Sequence, residues 1–178
     1  MLPLRKILAP TDFSEPSYAA LDHATELAAH FGAELCLLHI VPFSSGSPAD
    51  FTGMTAVMTA GPSDAERCDD AMRQLREVAA THVAHGVKVR CEVKMGYADK
   101  EIACMAAAEN CDLLVIATHG LTGWRHMVFG SVAEAIVRQA HCPVLTVHAT
   151  PVVDEPAGDE LVAVKQEVGL VKESLVPA

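Results

Sequence analysis

Short apolar runs alternate with amphipathic stretches along most of the chain, and this alternation predicts a regular succession of strands and helices. Runs such as Leu35–Val41 and Leu113–Ala117 are almost entirely apolar, which is typical of strands that are buried on both faces. The five predicted strands are Ile7–Pro10, Leu35–Val41, Val87–Val93, Leu113–Ala117 and Cys142–Val147.

Between these runs, apolar residues recur at helical spacing, as Leu21, Ala24 and Ala28 do. Ser14 is expected to cap the first helix at its start, with Pro16 in the first turn, and Gly32 is expected to end it. The other three predicted helices are Asp64–His85, which Gly86 closes, Lys100–Glu109, and Ser131–Ala140.

This order of elements predicts an α/β fold with a single five-stranded parallel sheet and helices on both faces, because crossovers between parallel strands are right-handed. Val87–Val93 alternates apolar and charged residues, so we expect it near an edge of the sheet or covered on one face only. Ligands of such sheets bind at the carboxyl ends of the strands, where the winding direction switches. Candidate chemistry is therefore expected at that edge.

Two parts of the chain fit this pattern poorly. The connection from Pro42 to Ser63 is long and rich in Ser, Gly, Pro, Thr and Met, and connections of this length are usually functional or disordered. We expect residues 1–149 to form the domain and residues 150–178 to form an acidic tail, with six acidic residues and two lysines, a balance of −4. Some apolar positions in the tail favour docking on its own domain or on a partner subunit.

Composition excludes several classes of function. A formal net charge of −10 disfavours nucleic acid as a partner, since no basic cluster offsets it. The chain has no apolar run of the roughly 20 residues that a membrane-spanning helix needs and shows no secretory signal, so we expect a cytoplasmic protein without membrane contact. The 6 cysteines are scattered and form no C-x-x-C pair, which predicts reduced, mostly buried thiols without a zinc site.

The stretch from Ala117 to Ser131 carries the strongest chemical signal. A predicted strand ends in it and a helix begins at its far side, so backbone N–H groups and the positive end of a helix dipole converge there. Gly120 and Gly130 would allow positive φ and a close approach of phosphate oxygens, and the Ser131 hydroxyl adds a donor. The alternative is an ordinary α/β connection, because glycines after strands and serines at helix starts are common.

The spacing within this stretch resembles the nucleotide-binding signature of universal stress proteins, G-x-x-G-x9-G-[ST]. Gly120, Gly130 and Ser131 match it, whereas Ala117 stands at the first glycine. Near the amino terminus, the segment from Ile7 to Ser14 resembles the first strand of that family. The resemblance spans residues 2 to about 148 and implies an adenine nucleotide alpha hydrolase-like, Rossmann-like domain that binds ATP.

The resemblance also implies a set of nucleotide contacts. Asp12 would meet the nucleoside end of the ligand, although an Asx-turn or helix-capping role explains the same residue. Ile40 would line the adenine pocket, although it reads equally as core. The implied contacts are Pro10, Thr11, Asp12, Ile40, Ile116, Ala117, His119, Gly120, Arg125, Gly130, Ser131 and Val132.

The sequence contains neither a Walker G-K-[ST] loop nor a G-x-G-x-x-G fingerprint after the first strand. Positive charge for the phosphates would have to come from Arg125, from Mg²⁺ or Mn²⁺, or from the backbone alone. This favours holding ATP over hydrolysing it, in a stress or signalling regulator that acts on a protein partner.

Two other functions stay open. A dimeric scaffold of the same family that no longer binds nucleotide is favoured by Ala117. An ATP-using transferase or hydrolase is disfavoured, because no paired carboxylates and no nucleophile with an adjacent base are evident. Resemblance to the family further implies a homodimer that pairs through the last strand, over Val144 to Val147.

Overall fold

The computed structural model describes residues 4–43, 62–118 and 130–148. Within these ranges nine elements follow one another in the predicted alternation. The strands are β1 (Lys6–Pro10), β2 (Glu34–Val41), β3 (Val89–Met95), β4 (Leu113–Ala117) and β5 (Val144–Val147). The helices are α1 (Glu15–Phe31), α2 (Asp64–His82), α3 (Ala98–Ala108) and α4 (Ser131–Gln139).

The five strands form one sheet in the order β3-β2-β1-β4-β5, and every strand pair is parallel. The predicted fold class is therefore confirmed. Pairing proceeds from β1 outward to β3, and the chain then crosses back to β4 and proceeds to β5. The winding direction thus changes between β1 and β4, which is where a crevice opens in folds of this kind.

The helices form one layer on each face of the sheet. Helices α1 and α2 share a core with side chains such as Leu35 and Leu37. Helices α3 and α4 cover the opposite face, against Leu8, Leu38 and Leu114. Neighbouring positions of one strand enter different cores because successive side chains point to opposite faces, which explains why the central strands are apolar throughout.

Local signals set the ends of α1 as predicted. The Ser14 hydroxyl accepts a hydrogen bond from the N–H of Ser17, and Pro16 lies in the first turn. Gly32 ends the helix in the left-handed conformation, with φ of 65°, and its N–H donates to the carbonyl of Ala28.

The predicted end of α2 was wrong. The helix stops at His82, and Val83 follows it in an extended conformation. Gly86 has a φ of 94°, so it serves the turn into β3 instead of capping the helix. The strand accordingly begins at Val89, two residues later than predicted.

Strand β3 lies at an edge of the described sheet, as its alternating pattern predicted. Cys91 and Val93 pack against the core beneath α2. Arg90, which points to the other face, forms ion pairs with Glu34 at 3.7 Å, Glu92 at 2.8 Å and Glu109 at 3.0 Å. One face of this strand is therefore covered by a helix, and the other carries charges.

The amino ends of β1 and β4 are joined by Asp112. Its carboxylate accepts hydrogen bonds from the N–H groups of Arg5 at 2.8 Å and Lys6 at 3.0 Å. These bonds hold the pKa of Asp112 below its usual value, because they stabilise the charged form. The Lys6 ammonium also pairs with Glu109 at 3.1 Å, so this end of the sheet is joined by charged groups.

All six cysteines lie in the described part of the chain and are free thiols. Cys36 and Cys111 are buried, and burial raises their pKa values to about 12 and about 11. The expectation that most of the thiols are buried was wrong, because Cys68, Cys91 and Cys142 are half-buried and Cys104 is exposed.

Candidate functional site

A cavity of about 390 Å³ opens at the carboxyl ends of β1 and β4, at the switch in winding direction. Its volume lies in the range of small-molecule sites. Nine of the predicted site residues line it, and they are Pro10, Thr11, Asp12, Ile40, Ile116, Ala117, Gly130, Ser131 and Val132. His119, Gly120 and Arg125 lie outside the described residues.

One wall of the cavity is the turn from β1 into α1. The Oδ1 atom of Asp12 accepts hydrogen bonds from the Ser14 N–H at 3.2 Å and the Ser14 hydroxyl at 2.5 Å. This is the Asx-turn geometry that the sequence allowed, in which a carboxylate orders the first residues of a helix. Asp12 also lines the cavity, so the structural role and contact with a ligand are compatible.

Thr11 fixes the same turn from inside. Its hydroxyl lies 2.8 Å from the Ser17 hydroxyl and accepts from the N–H of Phe13 at 3.1 Å. Thr11 and Ser17 are 7% and 5% exposed, and their hydroxyls are hydrogen-bonded to each other. The cavity therefore has a rigid polar floor that does not depend on a bound ligand for its hydrogen bonds.

Phe13 has a φ of 64°, a left-handed conformation that costs an aromatic residue free energy. Its ring stacks on the His39 ring, with centroids 4.2 Å apart and planes at 27°. This stacking contact favours the uncommon backbone conformation. The β1–α1 turn and the end of β2 are thereby joined next to the cavity.

His39 is a cavity residue that the sequence reasoning missed. Its Nδ1 lies 2.8 Å from the Thr11 carbonyl oxygen, and a carbonyl oxygen can only accept, so Nδ1 carries a proton. Burial lowers the pKa of His39 from the ordinary value, because a charged ring is poorly solvated there. At neutral pH the ring is therefore uncharged, and its Nε2 atom can accept a hydrogen bond.

The opposite wall contains the start of α4. Gly130 is the N-cap residue and supplies no capping side chain, so it cannot satisfy the N–H groups of the first helical turn. These groups belong to Ser131, Val132 and Ala133, all of which line the cavity. A negatively charged group placed here would meet both the amides and the positive end of the helix dipole.

Two expectations about Gly130 need correction. Its φ is −69°, so it does not use the left-handed conformation that only glycine adopts easily. Its own N–H donates to the Thr118 carbonyl at 2.6 Å and is therefore already engaged. Within the described residues, the donors that could meet a ligand begin one residue later, at Ser131, because Gly130 has no side chain to cap them.

Ala117, which departs from the family's glycine pattern, is 8% exposed and belongs to the core cluster on the α1 side of the sheet. Its methyl group therefore packs against protein, although the residue also borders the cavity.

The remaining described lining residues were not predicted. Ala98 and Ile102 lie one helical turn apart on α3 and form an apolar wall near Ile40. Their spacing of four residues could have indicated a shared face, but nothing in the sequence points that face at a ligand. The full set of missed residues is Ser17, Leu38, His39, Ala98, Ile102, Thr118 and Ala133.

Among residues 4–43, 62–118 and 130–148, no group of three or more His, Cys, Asp or Glu side chains is arranged to hold a metal ion. No helix in the same ranges has the length and apolar character needed to cross a membrane.

This geometry defines an α/β protein with a ligand cavity at the switch point of a doubly wound parallel sheet. The sequence profile described as the Universal stress protein family matches residues 3–148. The chain belongs to the universal stress protein family.

Individual relatives agree with this assignment. Universal stress protein MJ0531 of Methanocaldococcus jannaschii is 34% identical over 143 residues, which cover 80% of this chain and 81% of the relative. The solved structure of MJ0577, from the same organism, superimposes with a TM-score of 0.66 and 25% identity, over 83% of this chain and 97% of that one. A universal stress protein of Archaeoglobus fulgidus, solved in complex with dAMP, gives a TM-score of 0.57 at 18% identity, over 82% and 98%, and shows likeness of fold alone.

Proposed function

We propose that this universal stress protein binds ATP in the cavity between β1 and β4 and acts as a nucleotide-responsive regulator with little or no turnover. The observation that carries the proposal is the start of α4, where a side-chain-free cap leaves first-turn amides beside a cavity of nucleotide size. The dAMP complex of a protein with the same fold gives this proposal further support.

The cavity offers different chemistry at its two sides. Ser131 and the first amides of α4 suit phosphates, since both donate hydrogen bonds to anions. Ile40, Ala98 and Ile102 form an apolar wall on the β2 and α3 side, which suits a planar base. We infer that the triphosphate lies toward α4 and the adenine toward β2.

The described lining favours binding over catalysis. Asp12 is the only acid among the described lining residues, and its Oδ1 atom already orders the β1–α1 turn. Mg²⁺ or Mn²⁺ would therefore arrive with the nucleotide and be held largely by its phosphates, as is usual for magnesium. Two hydroxyls do lie beside a base, that of Ser14 beside Asp12 at 2.5 Å and that of Thr118 beside His148 at 3.1 Å. Both residues are only 5% exposed, which disfavours them as nucleophiles toward the γ-phosphate.

The biological setting belongs to the proposal as well. We infer a cytoplasmic homodimer that pairs through β5 and signals to a protein partner, with a domain at 1–149 and an acidic tail at 150–178 that docks on its own domain or on the partner subunit. Strand β5 supports the pairing, because it lies at an edge of the described sheet and Leu145 is 40% exposed. Backbone groups at such an edge can pair with a second copy of the chain.

Replacing Gly130 by Asp tests the ATP proposal directly. Asp is a favoured N-cap residue, so the variant should fold at least as stably as the wild type. Its carboxylate would occupy the phosphate position and repel the ligand. We expect ATP affinity, measured by titration calorimetry, to fall by about 10- to 100-fold. This loss is smaller than the roughly 4 kcal/mol of repulsion between two like charges 4 Å apart near a protein surface.

Two control variants show whether a loss of ATP affinity comes from the charge or the volume of the new side chain, and whether it depends on the position of that side chain. Gly130→Asn fills the same volume without charge and should weaken ATP binding less. Ser63→Asp places a carboxylate at the N-cap of α2, away from the cavity, and should leave affinity unchanged. If wild-type protein takes up no ATP, and none is released on denaturation, the proposal fails.

The non-binding scaffold remains the second candidate, because Ala117 replaces the first signature glycine and the Gly130 amide is already engaged. For such a scaffold, partner binding and dimer mass would be the same in wild type and in Gly130→Asp.

A further inference from the structure

Two exposed aromatic side chains follow the carboxyl ends of β2 and β3, the two strands on the far side of β1 from β4. Phe43 is 56% and Tyr97 is 65% exposed, which makes them the most exposed large hydrophobic residues in the described part of the chain. Their ring centroids lie 6.1 Å apart with planes at 74°, an edge-to-face pair. The ammonium of Lys100 lies 5.3 Å from the centroid of the Tyr97 ring. We call Phe43 and Tyr97 the aromatic rim.

The backbone beneath both rings is fixed. The N–H of Gly96 donates to the Val41 carbonyl at 3.0 Å, which ties the end of β3 to the end of β2. The Arg67 guanidinium donates to the carbonyl of Pro42 at 2.7 Å. Tyr97 is the N-cap residue of α3, and its carbonyl accepts from the N–H of Glu101 at 2.9 Å. The rings are thus presented outward by ordered chain.

Gly96 suits the turn that leads into Tyr97. Its φ is 153°, and a Cβ atom at this position would lie 2.7 Å from the Cγ atom of Glu101. A side chain here would have to displace the Glu101 side chain in the first turn of α3, and the backbone conformation itself is strained for any residue but glycine.

The residues of the aromatic rim follow or precede residues of the apolar cavity wall in the chain, although they do not line the cavity themselves. Phe43 follows Ile40 by three residues, and Tyr97 directly precedes Ala98; Ile40 and Ala98 both line the cavity. In the sheet order, β2 and β3 lie on one side of β1 while β4 and β5 lie on the other. Phosphates bound at α4 therefore direct the base of the nucleotide toward the aromatic rim.

We propose that Phe43 and Tyr97 form a stacking surface for the base of the nucleotide bound in the cavity, an inference that rests on the function proposed above. Aromatic rings bind bases through their faces and are tolerant of base identity, because every base has a π-face. The aromatic rim thus favours nucleotides over phosphates without a base and does not separate adenine from guanine. Discrimination between bases falls to polar groups deeper in the cavity, such as Asp12 and His39.

Titrations of Phe43→Ala, Tyr97→Ala and Tyr97→Phe with ATP, GTP and inorganic tripolyphosphate test this inference. The two alanine variants should bind ATP about 5- to 100-fold more weakly, the range of single base–aromatic stacks, and should lose GTP affinity by the same factor. Tripolyphosphate affinity should stay at the wild-type value, and Tyr97→Phe should bind ATP as the wild type does. Both positions are exposed, so unfolding midpoints should not change.

Val137→Ala is the matched control, because Val137 is 51% exposed on α4 and should leave all three affinities unchanged. If the wild type binds ATP and both alanine variants bind it equally well, the stacking inference is overturned while the proposed function stands. An equal loss for tripolyphosphate would also overturn it, since the effect would then not concern the base. If the wild-type protein binds neither ATP nor GTP, the stacking inference and the proposed function are both overturned.

Discussion

The two ends of the sheet are built from different chemistry. At the amino end, charged side chains close the sheet: the Asp112 carboxylate accepts from the backbone amides of Arg5 and Lys6, and Glu109 forms ion pairs with Lys6 and Arg90. At the carboxyl end, buried hydroxyls and a neutral imidazole surround a cavity of about 390 Å³.

The difference shows how a parallel sheet separates stability from binding. All strands of the sheet are parallel. At the amino end the chain runs from a helix into the next strand, and at the carboxyl end it runs from a strand into the next helix. The entering end can be closed by ion pairs because nothing needs access to it. At the leaving end, the turn after β1 is ordered by its own hydroxyls, and space remains where the strands diverge.

The largest effect is expected from Thr11→Val at the carboxyl end. The substitution keeps the shape but removes the hydroxyl that accepts from the Phe13 N–H, and losing the partner of such a donor costs about 1–3 kcal/mol. Chemical denaturation should show this loss, and ATP affinity should fall with it. Thr25→Val is the matched control, because the buried Thr25 hydroxyl has no hydrogen-bond partner among the described residues, so that its removal should be neutral or stabilising.

A smaller effect, confined to stability, is expected from Asp112→Ala at the amino end. It removes a charged acceptor of two backbone N–H groups and should lower the free energy of unfolding by about 1–2 kcal/mol at pH 7. The pKa of Asp112 is lowered in the folded state, so its contribution is present above the unfolded value of 3.8 and is lost as pH falls through the folded value. Denaturation curves of the variant and the wild type should therefore converge in acid.

The ATP affinity of Asp112→Ala should equal that of the wild type. Asp69 is an exposed carboxylate on α2, and Asp69→Ala should match the wild type in both ATP affinity and free energy of unfolding. Weaker ATP binding by Asp112→Ala would show that the two ends of the sheet are coupled.

The smallest loss of stability is expected from Ala117→Gly, which restores the first glycine of the family signature. Because the methyl group packs in the α1-side core, its loss should lower the free energy of unfolding by about 0.5–1 kcal/mol. ATP affinity should change by less than about threefold, or roughly 0.65 kcal/mol. A tenfold gain in calorimetric titration would instead mean that the methyl group crowds the ligand.

The fold could be predicted because its determinants are local. Apolar runs specify the strands, and Ser14 and Gly32 specify the ends of α1. The site was only partly accessible, since nine residues of its lining are implied by the resemblance to the family, whereas His39 and Ile102 reach the cavity through packing. A histidine within a strand reveals neither its tautomer nor its neighbours until the Thr11 carbonyl and the Phe13 ring are placed beside it.

The row of charges on β3 also bears on assembly. If copies of the chain paired through both edge strands of the sheet, β3 and β5, they could add to one another without limit and form a fibre. Arg90 and Glu92 place charges on the edge strand β3, which disfavours pairing there. If copies pair through β5 as proposed, association would therefore stop at two molecules. Electrostatics far from the cavity would thus set the size of the particle that carries it.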